Sequence, residues 1–143
     1  MTVLVAAERG GSKVSACGYL LDVYCLGVKD ALGPHALDRR KLPDFVHQYF
    51  RTSDEPPLAA PVDLARHLVL GAVAYARKLG FEPHPDLAAA AGHLEPWSGP
   101  SAISFGRHGK PFYMQGPHDD AARIIKTLKR SVGRGNFDTV LVA

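Results

Sequence analysis

The stretch VSACGYLLDVYC, residues 14–25, predicts a long β-strand in the middle of a sheet. Successive side chains of a strand point to opposite faces, and here both alternating sets are largely apolar. A strand of this kind is expected to be covered on both sides. Gly18 lies within the apolar pattern and predicts a bulge or a close backbone approach.

The segments that flank this strand predict its nearest neighbours. Residues 2–7 form a β-rich run, and Gly10-Gly11 joins them to the long strand as a hairpin. Residues 26–32 are predicted to be the turn that leaves the strand. The first neighbour is therefore expected to be antiparallel and close in sequence.

The rest of the chain predicts alternating helices and strands. Apolar periodicity, with Pro and acidic residues at helix starts and Gly or basic residues at helix ends, predicts helices at residues 42–51, 62–80, 85–94 and 118–136. Two short strands are predicted around a turn at residues 106–109, and a last strand at 136–143. Trp97 is predicted either to anchor its loop on the core or to be an exposed contact.

This order of elements indicates the α+β class. We expect one mostly antiparallel sheet of about five strands, with three to four helices. No repeat, low-complexity segment or linker divides the chain, so residues 1–143 are predicted to form a single domain.

Composition indicates a globular protein of an ordinary kind. Of its 143 residues, 46% are hydrophobic and 22% are charged. Cys17 and Cys25 form no CxxC or CxxH pair, and we predict two reduced core thiols. The first residues resemble neither a signal peptide nor a membrane span. A cytoplasmic location without a membrane partner is the resulting expectation.

Four polar or reactive residues are the candidates for a catalytic site: Asp22, Cys25, Lys29 and His84. A thiolate nucleophile needs a nearby base or cation, and a carboxylate on a central strand is a common first ligand in metal-dependent nucleases. These residues therefore favour a hydrolase or nuclease. The alternative interpretation is structural: Asp22 caps a neighbouring backbone or pairs with Lys29 or an Arg, and Cys25 belongs to the core.

The histidines and glycines predict neither a metal site nor a cofactor. The seven histidines include no HExxH or HxH motif and no i, i+4 pair on one helix. His84 is interpreted as a cap at the start of a helix. No GxGxxG or GxxxxGK[ST] motif indicates a nucleotide site.

The strongest charge pattern lies on the helix predicted at residues 118–136. Arg123, Lys126 and Arg130 share one face, and Lys129 and Arg134 extend the positive surface. Arg107 and Lys110 lie on the turn before this helix, next to Phe112 and Tyr113, whose rings are predicted to stack on bases. This pattern predicts a surface that binds the phosphates of a nucleic acid.

Three segments, GYLLDVYCLGVKDAL, LARHLVLGAVAYARKLGFEPHPDL and ISFGRHGKPFYMQGP, resemble a family of small, uncharacterised bacterial proteins. Its members share the blocks D-x-[YF]-C-L-G-x-K, L-G-F-x-P-H-x-D and F-G-x-x-G-K-P-[FY]. The resemblance spans most of the chain and implies one intact unit, without implying an activity. If the fold joins the three blocks, a polar site is expected at their junction, from Asp22, Cys25, Lys29, His84, Asp86, Gly109 and Lys110.

Three functions follow as hypotheses. The first is a non-enzymatic cytoplasmic protein that binds RNA or a ribonucleoprotein such as the ribosome. The second is a hydrolase or nuclease with a site near Asp22, Cys25, Lys29 and His84. The third is a homo-oligomer or an adaptor for another protein, which an exposed apolar patch would indicate.

Overall fold

The computed structural model describes residues 1–96 and 102–143. Trp97 and the first residue of the strand predicted before residue 106, Ser101, lie outside the described residues. The strands are β1 (Thr2–Glu8), β2 (Lys13–Asp22), β3 (Gly27–Asp38), β4 (Phe112–Met114) and β5 (Asp138–Val140). The helices are α1 (Leu42–Tyr49), α2 (Val62–Lys78), α3 (Leu87–Ala90) and α4 (Ala121–Ser131).

The strand predicted from residues 14–25 is present as β2, the central strand of a three-stranded antiparallel sheet in the order β1-β2-β3, but it ends at Asp22, and residues 23–25 belong to the turn that follows. Its side chains are almost all buried, as the two apolar faces predicted. The β2–β3 register shifts between Ala16 and Gly18, so the bulge predicted near Gly18 is present. The Tyr49 ring of α1 also lies directly over Gly18, where a Cβ atom would collide with it.

Residues 26–32 are not the turn that leaves β2, and this prediction is wrong. The turn is shorter, and residues 27–38 form β3, which pairs with β2 along most of its length. Gly33 and Pro34 suggested a break, but they lie opposite the bulge in β2, where the ladder is already interrupted. An edge strand accepts a proline at such a place because no paired N–H is lost.

The single, mostly antiparallel sheet of five strands is also a wrong prediction. β4 and β5 form a separate two-stranded sheet, and they are parallel. Parallel neighbours need a crossover connection, which α4 provides here. Of the two short strands predicted around residues 106–109, the second is confirmed as β4, whereas the described part of the first, residues 102–105, forms no strand. Arg107 and Lys110 bridge across a two-residue turn, with His108 and Gly109 both at positive φ.

The α+β class and the number of helices are confirmed. One buried cluster lies between the three-stranded sheet and α2 and α3, and it includes Cys17, Tyr19 and Val69. A second lies around α4 and β4, and it includes Cys25, Tyr113 and Leu128. The helix α2 contributes to both clusters, because Val69 and Val73 belong to the first and Tyr75 packs against the second.

Candidate functional site

The Asp22 side chain stabilises the turn between β2 and β3. Its Oδ1 accepts hydrogen bonds from the backbone N–H groups of Tyr24 (2.9 Å) and Cys25 (3.2 Å), and its Oδ2 accepts from Leu26 (3.0 Å). A carboxylate that closes the turn after it in this way is an Asx turn. The predicted capping role of Asp22 is therefore confirmed.

Cys25 has the environment of a core thiol. It is fully buried, and it packs in the cluster that contains Tyr113 and Leu128. Burial, together with the neighbouring Asp22 carboxylate, raises the pKa of the Cys25 thiol to about 12. The thiol is therefore protonated at neutral pH, whereas nucleophilic attack requires the thiolate. This environment disfavours Cys25 as a nucleophile.

The backbones of the three resemblance blocks meet at residues 22–29. Gly106 N–H donates to the Val23 carbonyl at 3.0 Å, and Phe112 N–H donates to the Tyr24 carbonyl at 3.1 Å. On the other side, His84 N–H donates to the Val28 carbonyl at 2.9 Å. Residues distant in sequence are therefore joined at the turn between β2 and β3 and at the start of β3.

Two of the four catalytic candidates share a cleft of about 280 Å³. Lys29 and His84 line it, together with Glu82, His118, Asp119, Asp120 and Arg123 among others. Asp22, Cys25, Gly109 and Lys110 are not among its lining residues. The polar residues of the three blocks therefore do not converge on one site, and the cleft instead adds residues from the start of α4 and the segment before it.

An ion pair between Lys29 and Asp119 lines this cleft, with 3.2 Å between Nζ and Oδ1. The Asp119 carboxylate also accepts hydrogen bonds from Gly116 N–H (2.8 Å) and Tyr113 Oη–H (3.2 Å). Burial by itself would raise the pKa of Asp119, but the hydrogen bonds from Gly116, Lys29 and Tyr113 and the Lys29 charge outweigh it and lower the pKa below the ordinary value. Asp119 is therefore a charged structural group that ties β3, β4 and the start of α4 together.

His84 does not cap α3 as the sequence predicted, because no side-chain hydrogen bond caps this helix. Its Nδ1 accepts a hydrogen bond from Asp86 N–H at 3.2 Å, immediately before α3. It also stands beside two carboxylates: one ring nitrogen of His84 and one oxygen each of Asp30 and Asp86 lie within 4.8 Å of one another. Sequence reasoning missed Asp30, because residues 26–32 were interpreted as a turn and no local spacing links Asp30 to His84.

The basic face of α4 is exposed as predicted. We use this name for five residues that are all exposed: Arg123, Lys126, Lys129, Arg130 and Arg134. The opposite side of the helix is apolar, and Ile124 and Leu128 are buried in the second cluster. Within residues 1–96 and 102–143, none of the five makes an ion pair, whereas Arg39, Arg66 and Arg77 each pair with a Glu.

Arg107 is held away from the basic face. Its guanidinium carbon lies 4.6 Å from the centre of the Phe112 ring. Phe112 and Tyr113 are adjacent on β4 and point to opposite faces, and Tyr113 is the one that packs against α4. Arg107 and α4 therefore lie on opposite sides of β4. Both rings are buried, so the prediction that they stack on bases is wrong for this conformation.

Comparison of the chain with known protein families, with curated proteins and with solved structures gave no match. Among the described residues, no helix has both the length and the apolar character needed to cross a membrane.

Proposed function

We propose that this protein is a non-enzymatic, cytoplasmic binding protein, with RNA or a ribonucleoprotein such as the ribosome as its partner, and that the basic face of α4 makes the contact. The observation that carries the proposal is the uneven distribution of charge. Residues 121–143 contain five basic and one acidic residue, while the other 120 residues contain twelve basic and thirteen acidic ones. Residues 121–143 therefore have a net charge of +4, and the other 120 residues have a net charge of −1.

Unpaired cations on a rigid helix suit a polyanion better than a single small anion. Long basic side chains that have no carboxylate partner keep their charge available to phosphates, and each contact releases a counterion from the nucleic acid. The face contains no exposed aromatic ring for stacking on bases, so it favours backbone contacts over sequence readout. The cytoplasmic part of the proposal is supported by the two cysteines, both of which are free.

The test is the affinity for a fluorescently labelled RNA, measured by anisotropy over a range of salt concentrations. For the native protein we expect the logarithm of the binding constant to fall linearly with the logarithm of salt concentration, by roughly 0.7 for each phosphate contacted. Arg123→Glu/Arg130→Glu is expected to weaken binding at least tenfold at low salt. In the same variant, the slope of this logarithmic plot is expected to become shallower by about 1.4, because two phosphate contacts are lost.

Lys41→Glu/Arg51→Glu is the matched control, because it changes the net charge equally at two exposed residues outside the basic face. We expect it to retain most of the affinity and all of the salt dependence. If both variants lose affinity equally, RNA binding depends only on the net charge of the protein and not on the basic face of α4. An affinity that neither salt nor Arg123→Glu/Arg130→Glu changes would contradict the proposal.

The hydrolase or nuclease remains a second candidate, because Lys29 and His84 line one cleft with Arg123 and His118. The two candidates differ in what happens to the bound RNA. We expect RNA incubated with the protein to be recovered at full length by chromatography. Cleavage that disappears in the His84→Ala variant would instead favour the enzyme.

The homo-oligomer or adaptor is supported by large apolar residues that are exposed around the second sheet: Met114, Val140, Leu141 and Val142. Affinity capture from a native lysate, with and without RNase, separates this candidate from the first. Partners that disappear on RNase treatment favour RNA binding, whereas RNase-resistant protein partners favour the adaptor.

A further inference from the structure

We propose that Asp30, His84 and Asp86 form a three-ligand site for a divalent transition-metal ion such as Zn²⁺ or Co²⁺. The proposal uses no residue of the basic face of α4 and does not depend on RNA binding. It is carried by the convergence of one imidazole and two carboxylates, whose donor atoms all lie within 4.8 Å of one another.

The three donors are placed by two elements that a backbone hydrogen bond joins. Asp30 lies on β3, which is an edge strand of its sheet. The loop that contains His84 and Asp86 docks against this edge, since His84 N–H donates to the Val28 carbonyl at 2.9 Å. Pro83 and Pro85 flank His84 and fix φ at two of the loop residues. The donors are therefore gathered by the fold, and only small side-chain movements are needed to close them around an ion.

The spacing between the donors fits a metal centre in its unloaded state. His84 Nδ1 and Asp86 Oδ2 are 3.8 Å apart, close to the separation of two ligands bound to one ion at about 2.0–2.2 Å. Nδ1 accepts a hydrogen bond from Asp86 N–H, so an ion that binds Nδ1 replaces this bond.

The donor types select the class of metal. Imidazole nitrogen suits Zn²⁺, Co²⁺ and related ions, whereas Ca²⁺ and Mg²⁺ prefer sites made of oxygen alone. The two carboxylates supply the two negative charges that balance such an ion. Neither Asp30 nor Asp86 pairs with Lys or Arg in the part of the chain that the structure describes, although the neighbouring Lys29 pairs with Asp119.

Three protein ligands leave at least one coordination position open. Structural zinc sites have four protein ligands, whereas sites with three keep a position for water or for an exogenous ligand. His84 lines the cleft that contains Lys29 and Arg123, and Asp30 lines a separate depression beside Tyr49. Two of the three donor residues therefore line concave surfaces, one in each depression.

The test is direct binding of Co²⁺ and Zn²⁺ to the full chain. We expect one Co²⁺ per protein with visible absorption bands from bound cobalt, and displacement of those bands by Zn²⁺. His84→Ala and Asp30→Asn are expected to weaken Zn²⁺ binding by about 100-fold, measured by competition with a chromogenic chelator. Loss of a direct ligand should cost at least as much affinity as loss of an outer-sphere partner.

Two controls keep the result specific. His108→Asn removes an exposed histidine of the Arg107–Lys110 turn while retaining a residue that tolerates its positive φ. Asp54→Asn removes an exposed carboxylate outside the cluster. Both variants are expected to bind Zn²⁺ like the native chain. Absence of one-to-one binding, or Zn²⁺ affinity that His84→Ala leaves unchanged in a folded protein, would overturn the proposal, whatever the RNA measurements give.

Discussion

At the scale of single residues, Asp119 is the most heavily used polar side chain of the cleft. It is 12% exposed, and it accepts hydrogen bonds from Lys29, Tyr113 and Gly116. We expect Asp119→Asn to lower the free energy of unfolding by about 1–3 kcal/mol at neutral pH, because the buried donors lose a charged acceptor. Urea denaturation followed by circular dichroism measures this difference.

The same substitution has a defined pH dependence. The pKa of Asp119 is lowered in the folded state, so its contribution is complete above the ordinary carboxyl value of 3.8 and is lost as the pH falls through the folded pKa. The stability difference between the native chain and Asp119→Asn should therefore be constant above that value and shrink below it. Asp54→Asn, at an exposed carboxylate, should show no such difference. A difference that persists unchanged in acid would contradict the assignment.

At the scale of elements, α1 contacts all three strands of the sheet: Tyr49 Oη–H donates to the Val3 carbonyl of β1 and the Phe45 ring lies against His35 of β3. The Tyr49 ring covers Gly18 of β2, and a Cβ atom at Gly18 would overlap it. We expect Gly18→Ala to destabilise the fold by roughly 1–3 kcal/mol, the usual effect of overpacking. In the background Tyr49→Leu, the same substitution should be less costly. A double-mutant cycle on unfolding free energies measures the coupling, and additivity of the two substitutions would show that the overlap relaxes without strain.

The elements that the sequence predicted are those whose signals are local. The alternation of β2, the apolar stripe of α2, and Asp120 at the start of α4 all act within a few residues, and all are present. β3 was missed because the glycine and proline within it have the local signature of a turn, and only the bulge in β2 explains their place in a strand. The sequence does not predict the pairing of β4 with β5 either, because no local signal links two strands that are so far apart in the chain.

In the candidate site, too, the sequence predicted the features that depend on local neighbours and missed those that depend on contacts between distant segments. The backbone capping by Asp22 and the burial of Cys25 were among the sequence-based alternatives, because each depends on neighbours in the chain. The cleft and the Asp30–His84–Asp86 cluster were not predicted, because they require β3 to lie beside the loop after α2. Spacing in the sequence contains no information about that contact.

At the scale of the whole molecule, the two buried clusters share α2, and this bears on whether the chain is one cooperative unit. Val69 and Val73 belong to the cluster under the three-stranded sheet, while Tyr75 packs against the cluster around α4. Backbone hydrogen bonds from Gly106 and Phe112 to the β2–β3 turn add a second connection. Because α2 packs in both clusters and these hydrogen bonds link the same two regions, we expect the clusters to unfold together in a single step.

We therefore propose that residues 1–143 fold as a single domain, and a cavity in either cluster tests this. Leu21→Ala in the first cluster and Leu128→Ala in the second are each expected to cost about 2–5 kcal/mol, because both side chains are buried. In both variants, the urea transition should remain single and should coincide by far-ultraviolet and near-ultraviolet circular dichroism. If the clusters were independent domains, Leu128→Ala would split the curve into an early step and a later step at the native midpoint. A split of that kind would contradict the proposal that residues 1–143 form a single domain.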